Sequence, residues 1–214
     1  SVGCPMAETE IAIRSESGEV LPQGETGVIH ARGPQVMSGY NRNEEATARV
    51  LDADGWFNTG DLGYVSATGD VVITGRAKDT IVLASGENVE PEPIEDVARQ
   101  SPLVSQIMLV GQDQKVLGAL VVPNGPALAA ALGLPEDTDL KTLCADPRAS
   151  KAVRDSIAHV MRSNGGFKEF ESVSRVALLD EPFSDDNGLL TQTMKIRRNV
   201  VSERYADTIQ ALFA

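Results

Sequence analysis

Apolar and polar residues alternate through ETEIAIR (8–14) and again through GVIHARG (27–33), the two-residue period of strands with one buried face. Between them, SESGE (15–19) is turn chemistry. GWFNTGDLGYV (55–65) and VVITG (71–75) predict a further hairpin, closed by SATGD (66–70) with Gly69 and Asp70 in its turn. Only NRNEEATARVL (41–51) carries a helical pattern here. Together these segments predict a small, mostly-β subdomain over 1–77, with thin apolar content for an independent core.

The pattern changes after Arg76. TIVL (80–83) predicts a strand, ASGENVEPEP (84–93) a loop, and PIEDVARQ (93–100) a short helix. Pro91 and Pro93 lie before or in the first turn of that helix, where a missing N–H costs little. SQIMLVG (105–111) and VLGALVVP (116–123) predict a hairpin around QDQK, and a helix at 125–132 opens a polar, weakly patterned insertion. Asp146-Pro147 predicts the N-cap and first position of a helix over 147–163, with Val153, Ile157, Val160 and Met161 on one face and Gly165-Gly166 as its stop. SRVALL (174–179) predicts a strand. From Ile196 onward, Val200/Val201, Arg204/Tyr205, Thr208/Ile209 and Leu212/Phe213 recur every four residues and predict an amphipathic helix. Residues 78–214 therefore read as an α+β domain, a small sheet covered by helices.

Composition removes several functions. A formal charge of −12 over 214 residues argues against a nucleic-acid binder and against docking on anionic membranes. No apolar stretch is long enough to predict a transmembrane helix. Cys4 and Cys144 fit no metal or CxxC spacing and read as reduced thiols, and His30 and His159 are isolated, so no metal site is expected. The N-terminus has neither a basic targeting region nor an initiator Met and reads as cut from a longer chain. These features favour the cytoplasm, with an organellar or membrane-associated placement open if a lost N-terminal segment directs it.

Three stretches combine glycine, charge and a tight turn. In FNTGDLGYV, Asp61 follows Gly60, and a carboxylate so placed can accept hydrogen bonds from both hydroxyls of a ribose, although an ordinary turn aspartate also fits. In GRAKDTIVLASGENVEPEPIE (75–95), Arg76 offers a planar fork to a ribose or phosphate oxygen, and Lys78 and Asp79 mark a hinge-like change of composition. Gly86 permits close ligand approach; a charged linker with a glycine turn is the plainer interpretation. In GLLTQTMKIRR (188–198), Lys195 is either a solvated lysine or an ammonium that stabilises charge developing on a transferred phosphoryl group, with Thr191 and Thr193 shaping its loop.

In this order the stretches resemble the adenylate-forming superfamily of acyl-CoA synthetases, luciferases and peptide-synthetase adenylation domains. GVIHARGPQVMSGYNRNEEAT (27–47) is similar to the family's GEL-x-x-x-G-x-x-V-M-x-G-Y-x-x-x-P-E-x-T block, departing at Val28-Ile29, where Glu-Leu is usual, and at the block's Pro, which this chain lacks. WFNTGDLGY (56–64) resembles the TGD motif, GRAKD the hinge motif, and LTQTMKIRR the closing motif, which in many relatives reads Pro-x-x-x-x-Gly-Lys. The Leu-Thr-x-Thr-Met-Lys form, with SGENVEP and ALVVPN, most resembles the long-chain fatty acyl branch.

The resemblance implies that Asp61 holds the adenylate ribose, Arg76 approaches the AMP moiety, Lys78 is the pivot, Gly86 lines the thiol passage and Lys195 serves adenylation. It implies residues 1–77 as the last β subdomain of a large AMP-binding domain and 78–214 as a mobile C-terminal lid. The whole enzyme would use ATP, Mg²⁺ and coenzyme A to convert a fatty acid to acyl-AMP and then to a thioester. Its phosphate loop and acyl tunnel would lie in a missing N-terminal domain, so the chain alone is expected to be catalytically silent. An acyl-(acyl carrier protein) synthetase is the alternative enzyme, and a non-catalytic binding module is the alternative of another class.

Overall fold

The computed structural model describes all 214 residues, which fall into two compact units, Ser1–Thr80 and Ile81–Ala214. The architecture is α+β, with nine strands and seven helices.

In the first unit, β1 (Glu10–Arg14), β2 (Gly27–Arg32), β3 (Phe57–Val65) and β4 (Val71–Arg76) form an antiparallel sheet in sequence order. α1 (Glu44–Val50) lies between β2 and β3, and the Asn43 side chain caps it by accepting from the Ala46 N–H at 2.9 Å. Ile13, Ile29 and Val71 are the buried centre of this unit, a core as small as the sparse apolar pattern predicts. Trp56, the single tryptophan, carries the guanidinium groups of Arg14 and Arg32 over its ring, 5.2 and 4.7 Å from the centroid. The β3–β4 pairing shifts register between Leu62 and Gly63. A β-carbon at Gly63 would fall 2.2 Å from the Val72 carbonyl oxygen, so this crossing requires glycine. A 3-10 turn, Ala77–Asp79, follows β4.

In the second unit, β5 (Ile81–Val82) and β6 (Asn88–Val89) make a short hairpin that leads into α2 (Pro91–Ala98). β7 (Val104–Val110) and β8 (Leu117–Pro123) pair antiparallel. α3 (Gly125–Leu132), α4 (Leu140–Ala145) and α5 (Ala149–Asn164) follow, and β9 (Val173–Leu178) returns parallel to β8. α6 (Arg198–Arg204) and α7 (Ala206–Phe213) close the chain.

All seven residues of β8 are buried, the signature of a strand covered on both faces. Leu117, Ala119 and Val121 face a core shared with α2, α3 and α5, while Leu120 and Val122 face a second core with Leu189, Leu190 and Val201. No helix is long and apolar enough to cross a membrane.

Several local expectations change. TIVL contributes only the two residues of β5. Asp146 ends α4 as its C-cap and accepts from the Arg148 N–H at 2.8 Å, so α5 begins at Ala149 with Arg148 in the N-cap position. α4 itself, capped by the Asp139 side chain, falls in the polar insertion where no helix was expected. The C-terminal helix is two helices, divided at Tyr205, whose φ of −106° and ψ of 24° leave the helical region.

Candidate functional site

Asp61 lies inside β3 rather than on a turn between strands. The TGD motif is instead an irregular piece of strand. Gly60 has φ +72°, its N–H donates to the Asn58 side chain at 2.9 Å, and the Asp61 N–H donates to the Thr59 hydroxyl at 3.1 Å. The Thr59 hydroxyl in turn donates to the Ile29 carbonyl on β2 at 2.8 Å. This scaffold directs the Asp61 carboxylate across the sheet to Arg76, its register partner on β4, and Oδ1 meets Arg76 Nε at 3.1 Å. The two residues assigned to the nucleotide are therefore together, half-exposed and mutually oriented. Lys78, in the 3-10 turn two residues after Arg76, is exposed.

Gly86 belongs to the second unit. It sits in the turn between β5 and β6, where its N–H donates to the Leu83 carbonyl at 2.8 Å and the Leu83 N–H donates to the Glu87 carbonyl at 2.9 Å. Its φ of +86° is the left-handed conformation that glycine adopts without steric cost, and nothing lies within 4 Å of the place a β-carbon would take. The turn is tied to the β7–β8 connection: the Ala84 N–H donates to the Gln114 carbonyl at 2.9 Å, and the Asp113 N–H to the Val82 carbonyl at 2.8 Å.

Lys195 closes a small hairpin. Leu190 and Ile196 form an antiparallel bridge, and the Thr191 N–H donates to the Lys195 carbonyl at 2.8 Å. The Lys195 N–H donates to the Thr191 hydroxyl at 3.1 Å, and the Thr191 and Thr193 hydroxyls are 3.0 Å apart. The Lys195 side chain is exposed and its ammonium has neither an ion-pair nor a hydrogen-bond partner. The turn therefore fixes the backbone of Lys195 and leaves its charge unspent.

Met194 stands at φ +61° and is 68% exposed. A side chain there crowds the backbone by about 1–2 kcal/mol, while glycine adds chain entropy to the unfolded state. Met194→Gly is expected to stabilise the second unit by roughly 0.5–1 kcal/mol, measured by urea unfolding followed in the far ultraviolet. A loss of stability would show that the exposed methionine contributes packing.

Sequence reasoning missed two residues. Glu95 in α2 is 3% exposed, and its Oε1 accepts the Leu109 N–H of β7 at 2.7 Å. Its Oε2 accepts from Arg198 Nη2 at 2.6 Å, at the start of α6 and three residues after Lys195. Burial pushes the Glu95 carboxyl above its ordinary range, and the Arg198 charge and the Leu109 N–H pull it back. A signal was present: Pro91, Ile94, Glu95 and Ala98 form the buried stripe of α2, so Glu95 occupies a core position in the helical repeat.

Neither cysteine is a candidate nucleophile. Burial pushes the Cys144 thiol up to about 11, and the hydrogen bond to Asp70 raises Cys4. No three His, Cys, Asp or Glu side chains come together as a metal-binding cluster.

The family model for the AMP-binding enzyme C-terminal domain matches residues 78–214, and that for the AMP-binding enzyme matches 1–41. The chain belongs to the AMP-binding, adenylate-forming enzyme family and carries its C-terminal domain. It is 43% identical over its whole length to the probable acyl-activating enzyme 16, chloroplastic, of Arabidopsis thaliana, and spans 31% of that protein. It is 40% identical to the chloroplastic long-chain-fatty-acid–[acyl-carrier-protein] ligase AEE15 of the same plant, spanning 29% of it. Over 92% of the chain it is 38% identical to the long-chain-fatty-acid–CoA ligase FadD15 of Mycobacterium tuberculosis, spanning 32% of it. Among solved structures, it matches the A domain of a carboxylic acid reductase from Segniliparus rugosus, in complex with AMP and a co-purified carboxylic acid. That match has TM-score 0.79 and 28% identity, covering 98% of this chain and 32% of the other.

Proposed function

We propose that the chain is the C-terminal part of an ATP-dependent, AMP-forming ligase that converts a long-chain fatty acid to an acyl-adenylate and then to a thioester. The observation that carries this reading is the unpartnered Lys195 ammonium on its closed hairpin, within a domain of this family. A positive charge with no internal partner is available to oxygens that gain negative charge as acid and ATP react. Asp61 would accept from the ribose hydroxyls, with Arg76 fixing the carboxylate and reaching the adenylate from the adjacent strand. Residues 1–77 would end the AMP-binding domain and 78–214 would be the mobile lid. Turning about Lys78, that lid would present Lys195 in the first half-reaction and the Gly86 turn to the incoming thiol in the second.

Bound ATP would supply the activating phosphoanhydride, and Mg²⁺ would accompany its phosphates. Coenzyme A is the leading acceptor. Acyl carrier protein is the second reading, favoured by the 40% identity to a ligase named for that acceptor.

The test is fatty-acid-dependent exchange of pyrophosphate into ATP by the full-length enzyme, followed by thioester formation with coenzyme A and with acyl carrier protein side by side. Exchange that requires a long-chain acid is the expected result, and the faster acceptor decides between the two thiols. The 214-residue chain alone is expected to show no exchange. Exchange by that chain, or none by the full-length enzyme, would overturn the assignment.

A further inference from the structure

The Lys195 hairpin is part of a long segment between β9 and α6 that contains no regular element. Two polar ties hold this segment to β7. Before the hairpin, the Gln106 side chain bonds both backbone groups of Phe183, accepting its N–H at 2.7 Å and donating to its carbonyl at 2.9 Å. After the hairpin, Arg198 reaches Glu95, which is itself bonded to the Leu109 N–H of β7. Within the segment, the Arg197 N–H and guanidinium bond back into the loop, to the Leu189 and Gly188 carbonyls at 2.9 and 3.1 Å, while its carbonyl accepts the Val201 N–H of α6 at 3.0 Å. Leu189 and Leu190 seat the base of the hairpin on the sheet, and the two polar ties flank that apolar contact on either side.

Glu95 also stands at the other functional turn. α2 follows directly from β6 and the Gly86 turn, and Glu95 anchors that helix to β7. Both oxygens are thus committed: Oε1 holds the Gly86 side of the unit, and Oε2 holds the Lys195 side.

We propose that the Glu95–Arg198 pair is a positioning device that sets the aim of Lys195 for adenylate formation, sharing one carboxylate with the anchor of the Gly86 turn. The proposal rests on the adenylation role of Lys195 given above. Neither residue reaches the reacting atoms; both act through the hairpin. Their effect should therefore fall on turnover in one half-reaction, since misplacing a charged group by an ångström slows a positioned reaction without changing what binds.

Glu95→Gln separates the two ties. The amide oxygen still accepts the Leu109 N–H, so α2 and the Gly86 turn stay in place, while the charged bond to Arg198 is lost. In the full-length enzyme, E95Q is expected to lower kcat for ATP–pyrophosphate exchange about tenfold, with KM for ATP unchanged. Thioester formation from supplied acyl-adenylate should keep its wild-type rate. In a Lys195→Ala background, E95Q should cause no further loss of exchange, because the group it aims is already gone.

Normal exchange by E95Q beside impaired K195A would overturn the pair's role and leave the reading of Lys195 intact. Normal exchange by K195A would overturn that reading and this proposal together. Equal loss in both half-reactions would reduce the pair to a structural contact and also overturn it. Arg198→Lys, which keeps a charge on this side of Glu95 but moves the donor away from the Nη2 position, provides the same split should E95Q fail to fold.

Discussion

Lys195→Ala in the full-length enzyme is expected to slow acyl-adenylate formation by about 100- to 1,000-fold, the usual cost of removing one preorganised charge-stabilising donor. That corresponds to about 3–4 kcal/mol of transition-state stabilisation. The physical basis is the contrast between backbone and side chain at this residue. Its N–H and carbonyl are both bonded to Thr191, while its ammonium bonds to nothing in the protein. Alanine therefore removes the charge and leaves the hairpin closed, and an exposed site of this kind changes stability by no more than about 0.5 kcal/mol.

The loss should appear in kcat, with KM for ATP little changed, because the ammonium acts on charge that exists only as the reaction proceeds. Thioester formation from supplied acyl-adenylate should keep its rate, since that step is assigned to the Gly86 face. Wild-type exchange by K195A would remove Lys195 from the mechanism.

The sequence made the local parts of this picture legible. Alternation in β1 and β2 and the continuous apolar run of β8 are decided by which faces are covered, and that is written in neighbouring residues. The motif residues were also found locally, but their geometry was not. Asp61 was expected on a turn because glycine precedes it, and Gly60 instead gives the strand its irregularity. Its meeting with Arg76 depends on the β3–β4 register, including a shift that no local pattern encodes.

The break at Tyr205 was invisible for a related reason. The four-residue rhythm of side chains continues straight through it, while the backbone leaves the helix. Glu95 shows the limit most clearly. Its core position was readable within α2, but its partner lies 103 residues away, beyond the reach of any periodicity. Long-range pairing, rather than element type, was what the linear pattern withheld.

Arg198→Met carries the second large effect. It leaves Glu95 buried with the Leu109 N–H but no opposing charge, and breaking a buried pair in this way costs about 3–5 kcal/mol. Against a typical total of about 5–15 kcal/mol, that is enough to loosen the second unit. The loss should depend on pH in a defined direction. Glu95 already titrates above its ordinary value of 4.5 because of burial, and removing the Arg198 charge raises it further. A carboxyl raised on folding binds more protons in the folded state than in the unfolded one. Its contribution is therefore present at low pH and is lost as pH rises through the folded-state value.

R198M should accordingly be most destabilised at neutral and alkaline pH and should recover toward wild type as pH falls toward 4.5. Adding Glu95→Gln should restore much of the loss at neutral pH, because the amide keeps the Leu109 bond without a buried charge. Amide exchange of α2 and α6 reads the effect directly, and Trp56, in the other unit, serves as the internal control. A pH-independent loss, or no recovery in the double variant, would mean that Arg198 stabilises this unit by packing its side chain rather than by neutralising Glu95.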